Sequence, residues 1–501
     1  MKTSIKLVAL LLALLMLSTC LFACANDTTD EEQQGDDPSQ GDDPAVEDPD
    51  KEPEVEIIKP NIPETYDFGK NDVSFLYWYV ESWSNTVRHC RDIYSESVIG
   101  EPIPDTVYYR NADIQEAYNV NITLEMQRQD VIGTTITNQN ASGDSTYLIT
   151  VPRLLEAGPL ITNGTFHNLY EVNHVDLTKP WWDQNSVEHL SSNDTLHLVA
   201  TALMVNDKDA TAALAFSKDA IKDYELESPY QFVDDGIWTY ETLADMAEQA
   251  CSDLDGNDKM DKSDFWGFLG KSDVLTSFFH GSGGLFVVKD EDGLFQLNFG
   301  TSDDHFDATQ DIQDFIMDAD FFFNHHKEGI DDTAYTEMFM NGQGLFFWMR
   351  LDEVTNMRGS EINFGILPIP KFLEEQESYH SMVSQHTTGL LSIPLSTAGD
   401  NLEMVGMVLE AMSAHSYYDL QNEYIEVSLK TRYAHDDESE GMLDIILNNR
   451  VFDPALVFGF GNFASAYQDL HTGGNVASFF ATKESATVKA IEEFNDKIAG
   501  Y

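Results

Sequence analysis

Positive charge is scarce in this sequence. Its 501 residues include 28 Lys and Arg against 87 Asp and Glu, a formal net charge of −59. A chain of that balance repels polyanions, which argues against nucleic acid as a partner and disfavours anionic headgroups and anionic solutes. Cysteine is scarce as well: only Cys20, Cys24, Cys90 and Cys251 occur. The first two lie in the leading segment, and Cys90 and Cys251 alone cannot define a disulfide framework. They either bridge or stand as two buried thiols. Beyond the first residues no apolar run is long enough to span a bilayer. Gly-x-Ser-x-Gly, Walker, Gly-x-Gly-x-x-Gly and His-Glu-x-x-His patterns are all missing. A pair of carboxylates for glycoside hydrolysis carries no weight in so acidic a chain, where pairs arise by chance. The neighbours His325 and His326 diverge on a helix or a strand and read as surface histidines.

What is present begins with the amino terminus. Lys2 and Lys6 flank a short basic start, Leu7 to Leu17 is wholly apolar, and Leu21-Phe22-Ala23-Cys24 follows. This is the pattern of an export signal, residues 1–23. The cysteine after Leu-x-Ala resembles the bacterial lipobox, which makes Cys24 the first mature residue and the site of lipidation, palmitate included. Residues 24–63 contain Gly35-Asp36-Asp37-Pro38 and again Gly41-Asp42-Asp43-Pro44. With almost no large apolar side chain, this stretch cannot offset its ordering entropy and reads as an acidic, extended tether.

The remainder is long enough for more than one lobe. Val73 to Trp78 reads as a buried strand and Val107 to Asn119 as a helix. Val120, Ile122, Leu124 and Met126 alternate with polar residues, and Tyr147 to Val151 is a further apolar run. This rhythm indicates an α/β lobe with a largely parallel sheet, whose binding residues sit at strand carboxyl ends. Thr239 is placed to cap a helix whose apolar face is Leu243, Met246, Ala247 and Ala250. Phe364 to Ile369 reads as a strand ended by prolines, and Asn401 to Met412 as another helix.

Four stretches carry a resemblance: Asp176-Leu177-Thr178-Lys179-Pro180-Trp181-Trp182; Trp238-Thr239-Tyr240 with a later Phe265-Trp266-Gly267; Phe364 to Lys371; and Ser439 through Met442-Leu443-Asp444-Ile445-Ile446 to Asp453. In order and spacing they resemble the extracellular solute-binding proteins of type 1, the lipoprotein receptors of sugar-importing ABC transporters. The resemblance spans residues 70 to 500. It implies a two-lobed periplasmic-binding-protein-like fold (type II), with lobes joined by crossing hinge segments near Tyr170–Trp181, near residue 330 and near Pro370. Residues 65–175 plus 331–372 then form lobe 1, and 176–330 plus 373–501 form lobe 2. The implied function is capture of a small solute, a carbohydrate above all, in the interlobe cleft, with delivery to ABC permease subunits by a lipid-anchored monomer at the extracytoplasmic face of the membrane. It implies no catalysis. Two other readings keep the same features: a secreted carbohydrate-active enzyme, and a surface sensor or adhesin.

A sugar site needs flat aromatic platforms and planar hydrogen-bonding groups. Candidates at strand ends or near a crossover are Trp78, Tyr79, Glu81, Trp83, Arg153, Trp181, Trp182, Asp183, Trp348, Arg350, Phe458 and Phe460. Of the matched pair Trp181 and Trp182, one is expected to face the cleft and the other the core. For each aromatic the competing reading is a core residue, and for Arg350 an ion pair. Separately, residues 253 to 264 place oxygen donors at the spacing of an EF-hand loop: Asp253, Asp255, Asn257, the Lys259 carbonyl, Asp261 and Asp264. That set suits a structural Ca²⁺. Asp258 stands at the turn position where Gly is usual, a substitution Asp tolerates, and Asp264 replaces the longer Glu.

Overall fold

The computed structural model describes residues 57–81, 90–357, 360–426 and 437–498. The signal, Cys24, most of the tether and Trp83 lie outside them. The chain from Ile58 onward forms one compact unit. It opens with strand β1 (Asn71–Tyr79), whose Val73, Phe75, Leu76, Tyr77 and Trp78 are all buried. Helix α1 (Pro102–Tyr118) follows, started by prolines in its first turn and ended by Asn119 in the left-handed conformation at φ 45°. The alternating stretch becomes β2 (Val120–Arg128). Next come α2 (Gln129–Ser142), β3 (Ile149–Val151) and α3 (Leu154–Thr162). β1 is central, with β2 and β3 parallel on either side. A strand buried on both faces reads as a continuous apolar run, and an edge strand alternates.

After helix α4 (Gln184–Leu190) the chain builds a second, five-stranded sheet. Its strands are β4 (Ala212–Ser217), β5 (Trp266–Gly270), β6 (Phe322–Asn324), β7 (Gly344–Arg350) and β8 (Phe364–Leu367). The order is β8-β4-β7-β5-β6. β5 runs parallel to β6 and β7, while β4 is antiparallel to β7 and β8. Helix α5 (Tyr240–Ala250) is capped by the Thr239 side chain, which accepts from the Thr242 N–H, and buries the expected face of Leu243, Met246, Ala247 and Ala250. Helix α6 (Asp273–Gly281) follows β5, and α7 (Asp332–Met340) precedes β7.

This pairing reassigns two segments. Residues 331–372, expected in the first lobe, contribute β7 and β8 to the second sheet. Part of 373–501, expected in the second, returns to the first: Ser392 bridges Thr150, and Gly389 bridges Arg153. Helix α8 (Asp400–Tyr418) lies beside α1, with His415 Nε2 3.4 Å from Asp113. The short pair β9 (Ser381–Met382) and β10 (Arg450–Val451) runs parallel. Helices α9 (Pro454–Phe458) and α10 (Val476–Ile498) close the described chain. Cys90 and Cys251 are free thiols, the first buried and the second half-buried.

One close approach fixes how α5 sits on β5. A Cβ on Gly267 would lie 2.1 Å from the Ala247 carbonyl oxygen. Backbone meets backbone there, so no side chain can swing aside. Gly267→Ala is expected to destabilise the fold by roughly 1–3 kcal/mol, as overpacking does. The urea midpoint should fall with the slope unchanged; a midpoint equal to wild type would refute the close packing.

A buried titratable pair makes a second test. Asp453 caps α9 and accepts from the N–H groups of Phe286 (2.6 Å) and Ala455 (2.8 Å). Burial raises its pKa to about 7. His280 Nδ1 lies 4.0 Å from it and donates to the Gly284 carbonyl at 2.9 Å, and burial lowers that pKa to about 4. A raised carboxyl pKa contributes stability at low pH that is lost as pH climbs from about 3.8 to about 7. A lowered histidine pKa does the reverse, losing stability as pH falls from about 6.5 to about 4. The two slopes oppose each other over most of that window. Asp453→Asn leaves only the histidine slope, so stability should then fall on acidification by about 1.4 kcal/mol per pH unit more than in wild type. Denaturant titrations at several pH values read this directly, and parallel curves would refute it.

Candidate functional site

Strand carboxyl ends from both sheets converge on one polar region. β3 ends one residue before Pro152, and Arg153 follows with its side chain largely buried. Its Nε donates to the His386 carbonyl at 2.8 Å, and its Nη1 donates to Gln129 Oε1 and, at 3.2 Å, to Glu156 Oε1. The guanidinium carbon stands 5.6 Å from the centre of the Trp78 ring. That ring is in turn pressed on Gly389, where a Cβ would come within 2.8 Å of the indole nitrogen. Trp78 is therefore a support beneath Arg153, fully covered. Burial lowers the Arg153 pKa against the pull of Glu156, and burial raises that of Glu156 against Arg153.

Gln129 connects this cluster to an open groove of about 530 Å³ lined by Tyr79, Val80, Glu81, Arg128, Gln129 and Asp130. That volume lies within the roughly 300–1,000 Å³ of small-molecule sites. Arg128 spans Glu81 (3.3 Å) and Asp130 (2.6 Å).

From the second sheet, β5 delivers Lys271 and Asp273, and β7 delivers Arg350 followed by Asp352 and Glu353. Arg350 pairs with Asp352 at 3.1 Å and Glu353 at 3.3 Å. Its burial opposes the charge, but Asp352, Glu353 and Asp273 more than offset that and raise its pKa. Lys271 holds Asp332 (3.1 Å) and Glu353 (3.2 Å) and lies 4.8 Å above the Tyr335 ring. The two sets meet at His386. Burial lowers its pKa, Asp273 opposes the shift, and Arg153 and Arg350 reinforce it. His386 lines a second, much smaller pocket with Asp273, Thr276, Ser384, Gln385 and Gln468. The arrangement brings donors and acceptors from both sheets together around His386.

Of the residues singled out from sequence, Trp78, Tyr79, Glu81, Arg153 and Arg350 are brought to this region. Several others are placed elsewhere. Trp181 and Trp182 are both buried, so neither faces a cleft; the Trp182 indole N–H donates to Glu410 Oε2 at 2.9 Å. Asp183 caps α4 by accepting from the Ser186 N–H at 2.7 Å and pairs with Arg450. Trp348 is fully buried within β7. Phe458 and Phe460 pack on Phe494 at 4.8 and 5.3 Å between ring centres. Sequence reasoning missed Gln129, Lys271, Asp273, His386 and Gln468. Gln129, directly after the alternating run, and Asp273, just beyond an apolar run, were detectable as strand-end residues; His386 and Gln468 carry no local signal.

The acidic loop folds on itself. Carboxylate oxygens of Asp253, Asp255 and Asp264 lie within 4.8 Å of one another. Asp264 is buried and accepts from the N–H groups of Leu254 (2.9 Å) and Asp261 (2.7 Å). Asp253 accepts from Gly256 (2.7 Å) and Asp258 (2.8 Å), the latter left-handed at φ 61°. Asn257 Nδ2 donates to Asp255 at 2.8 Å. The Asp261 carboxylate instead accepts from Ser263, and its carbonyl from the Trp266 indole at 2.8 Å. Three of the expected donors thus cluster; Asn257 bonds to one of them, and Asp261 turns away. No described helix is long and apolar enough to cross a membrane.

No family profile matches this sequence, and no curated protein matches it either. Solved structures do match in fold. An ABC substrate-binding protein, Lmo0181 from Listeria monocytogenes in complex with cycloalternan, is 11% identical with a TM-score of 0.52, the match covering 86% of this chain and 99% of that one. A cyclo/maltodextrin-binding protein complexed with maltotetraose is 12% identical with a TM-score of 0.54, covering 86% and 98%. UspC of M. tuberculosis is 14% identical with a TM-score of 0.54, covering 84% and 100%. The chain therefore has the two-lobed, periplasmic-binding-protein-like α/β fold seen in ABC solute-binding proteins.

Proposed function

We propose that this chain is a solute-binding lipoprotein that captures a carbohydrate between its two sheets and passes it unaltered to an ABC permease. The observation that carries this reading is the open groove at the carboxyl ends of β1 and β2, joined through Gln129 and Arg153 to the polar cluster around His386 where strand ends of the second sheet arrive, the place where open α/β sheets bind ligands. The neighbours named above with cycloalternan and maltotetraose support a glucan-like guest. Lipidation at Cys24 would hold the receptor at the extracytoplasmic face of the membrane, as a monomer. Calorimetric titration and melting curves with maltotetraose, cyclic glucans and monosaccharides test the reading, since a guest that binds only the folded chain must raise its melting temperature. Failure of every sugar, or release of shorter sugars during incubation, would end it. Replacing Cys24 by Ser should release the protein from membranes.

The acidic loop supports a structural Ca²⁺ held by Asp253, Asp255 and Asp264, hard oxygen donors at close range. Ca²⁺ should raise the melting temperature and a chelator should lower it, with Asp255→Asn abolishing the difference. A melting curve indifferent to Ca²⁺ would rule the ion out.

A further inference from the structure

At the carboxyl end of β6, outside the groove, three imidazoles gather. His325 and His326 follow Asn324, whose side-chain oxygen accepts from the N–H groups of His326 and Lys327, both at 3.1 Å. The exposed His326 ring is centred 5.2 Å from that of His471, with planes 81° apart, and 6.4 Å from that of His325. His471 arrives from the far end of the chain and is only 7% exposed. Its Nδ1 lies 2.7 Å from the Gln468 carbonyl. A carbonyl can only accept, so Nδ1 carries the proton and Nε2 keeps its lone pair. That Nε2 is buried with no protein hydrogen-bond partner among the described residues.

An imidazole that donates one N–H to a backbone carbonyl and leaves the other nitrogen bare is oriented as metal-ligating histidines are. The spacing agrees: two imidazoles on one tetrahedral ion, at about 2.0–2.1 Å from metal to nitrogen, place their ring centres about 5 Å apart. We propose that His326 and His471 form a binding site for a divalent transition ion of the zinc class, with water completing the coordination. Nitrogen donors select such an ion over Ca²⁺, which the oxygen-rich acidic loop suits instead. His325 flanks the site: its Nε2 is 3.5 Å from Asp332, a carboxylate already held by Lys271 at 3.1 Å. A bound ion would tie the exit of β6 to the turn at 469–472, two segments far apart in sequence and adjacent in space.

The test is calorimetric titration of the full chain with Zn²⁺ in excess Ca²⁺. One Zn²⁺ per chain should bind, and His326→Gln and His471→Gln should each weaken it by roughly tenfold or more, while His415→Gln, altering a histidine elsewhere on the surface, should not. His326 is exposed, so its variant must fold and keeps the test decisive if His471→Gln does not. Absence of Zn²⁺ binding, or binding that survives His326→Gln unchanged, would overturn the site. Neither result depends on whether the groove takes a sugar.

Discussion

Replacing Arg450 by methionine should cost roughly 3–5 kcal/mol of folding stability, the range expected when one partner of a buried ion pair is removed. Arg450 is nearly sealed from solvent and stacks 5.6 Å from the centre of Phe452. Its Nη1 donates to Asp207 at 2.6 Å and its Nη2 donates to Asp183. Asp207 is fully buried and shares its oxygens with Lys208 at 3.0 and 3.2 Å. Burial alone would raise the Asp207 pKa, yet Lys208 and Arg450 together bring it below the ordinary value. Removing Arg450 therefore strands a half-compensated carboxylate in the interior and frees the cap of α4. Methionine keeps much of the volume, so the loss isolates charge more than packing. The double variant Arg450→Met, Asp183→Asn should recover part of the loss, because Asp207 keeps Lys208 and no uncompensated carboxylate remains at 183. Urea midpoints check both. A single variant within about 1 kcal/mol of wild type would show the network to be dispensable.

That network also shows where sequence reading stops. The strand β1, helix α1, strands β2 and β3 and the Thr239 cap were legible because each is written locally, in an apolar run, a period of two or a capping hydroxyl. Trp348 was misplaced for a related reason. An aromatic near the end of an apolar run looks the same whether the strand stops there or, as here, continues to Arg350. Asp183 looked like a ligand because its partner, Arg450, lies 267 residues away, a separation that no periodicity reports. The lobe assignment failed at β7 and β8 because strand pairing across crossovers depends on topology and leaves no trace in composition. Within the site, Arg153 was legible as the residue beyond a buried strand. His386 was not, since it sits in irregular chain and acquires its role only from Arg153, Asp273 and Arg350 around it.

Arg153→Ala should weaken the proposed carbohydrate binding by about 2–5 kcal/mol, roughly thirtyfold or more in affinity, as expected when one partner of a hydrogen-bonded, buried charge pair is truncated. The reasoning is one of preorganisation. The His386 carbonyl, Gln129, Glu156 and the Trp78 ring hold the guanidinium in place before any guest arrives, so little ordering entropy is lost on binding. Arg153→Lys keeps the charge but replaces a planar fork by a point donor, and should fall between alanine and wild type. Trp78→Phe retains an aromatic face and should lose about 0.5–2 kcal/mol, the worth of the weakened cation–π contact. Gln129→Ala touches both the groove and Arg153, and should weaken binding while leaving Glu156 paired. Calorimetry on variants whose melting curves match wild type separates these effects from unfolding. If Arg153→Ala binds as tightly as wild type, the guest does not engage the Arg153 cluster beside the groove at the ends of β1 and β2.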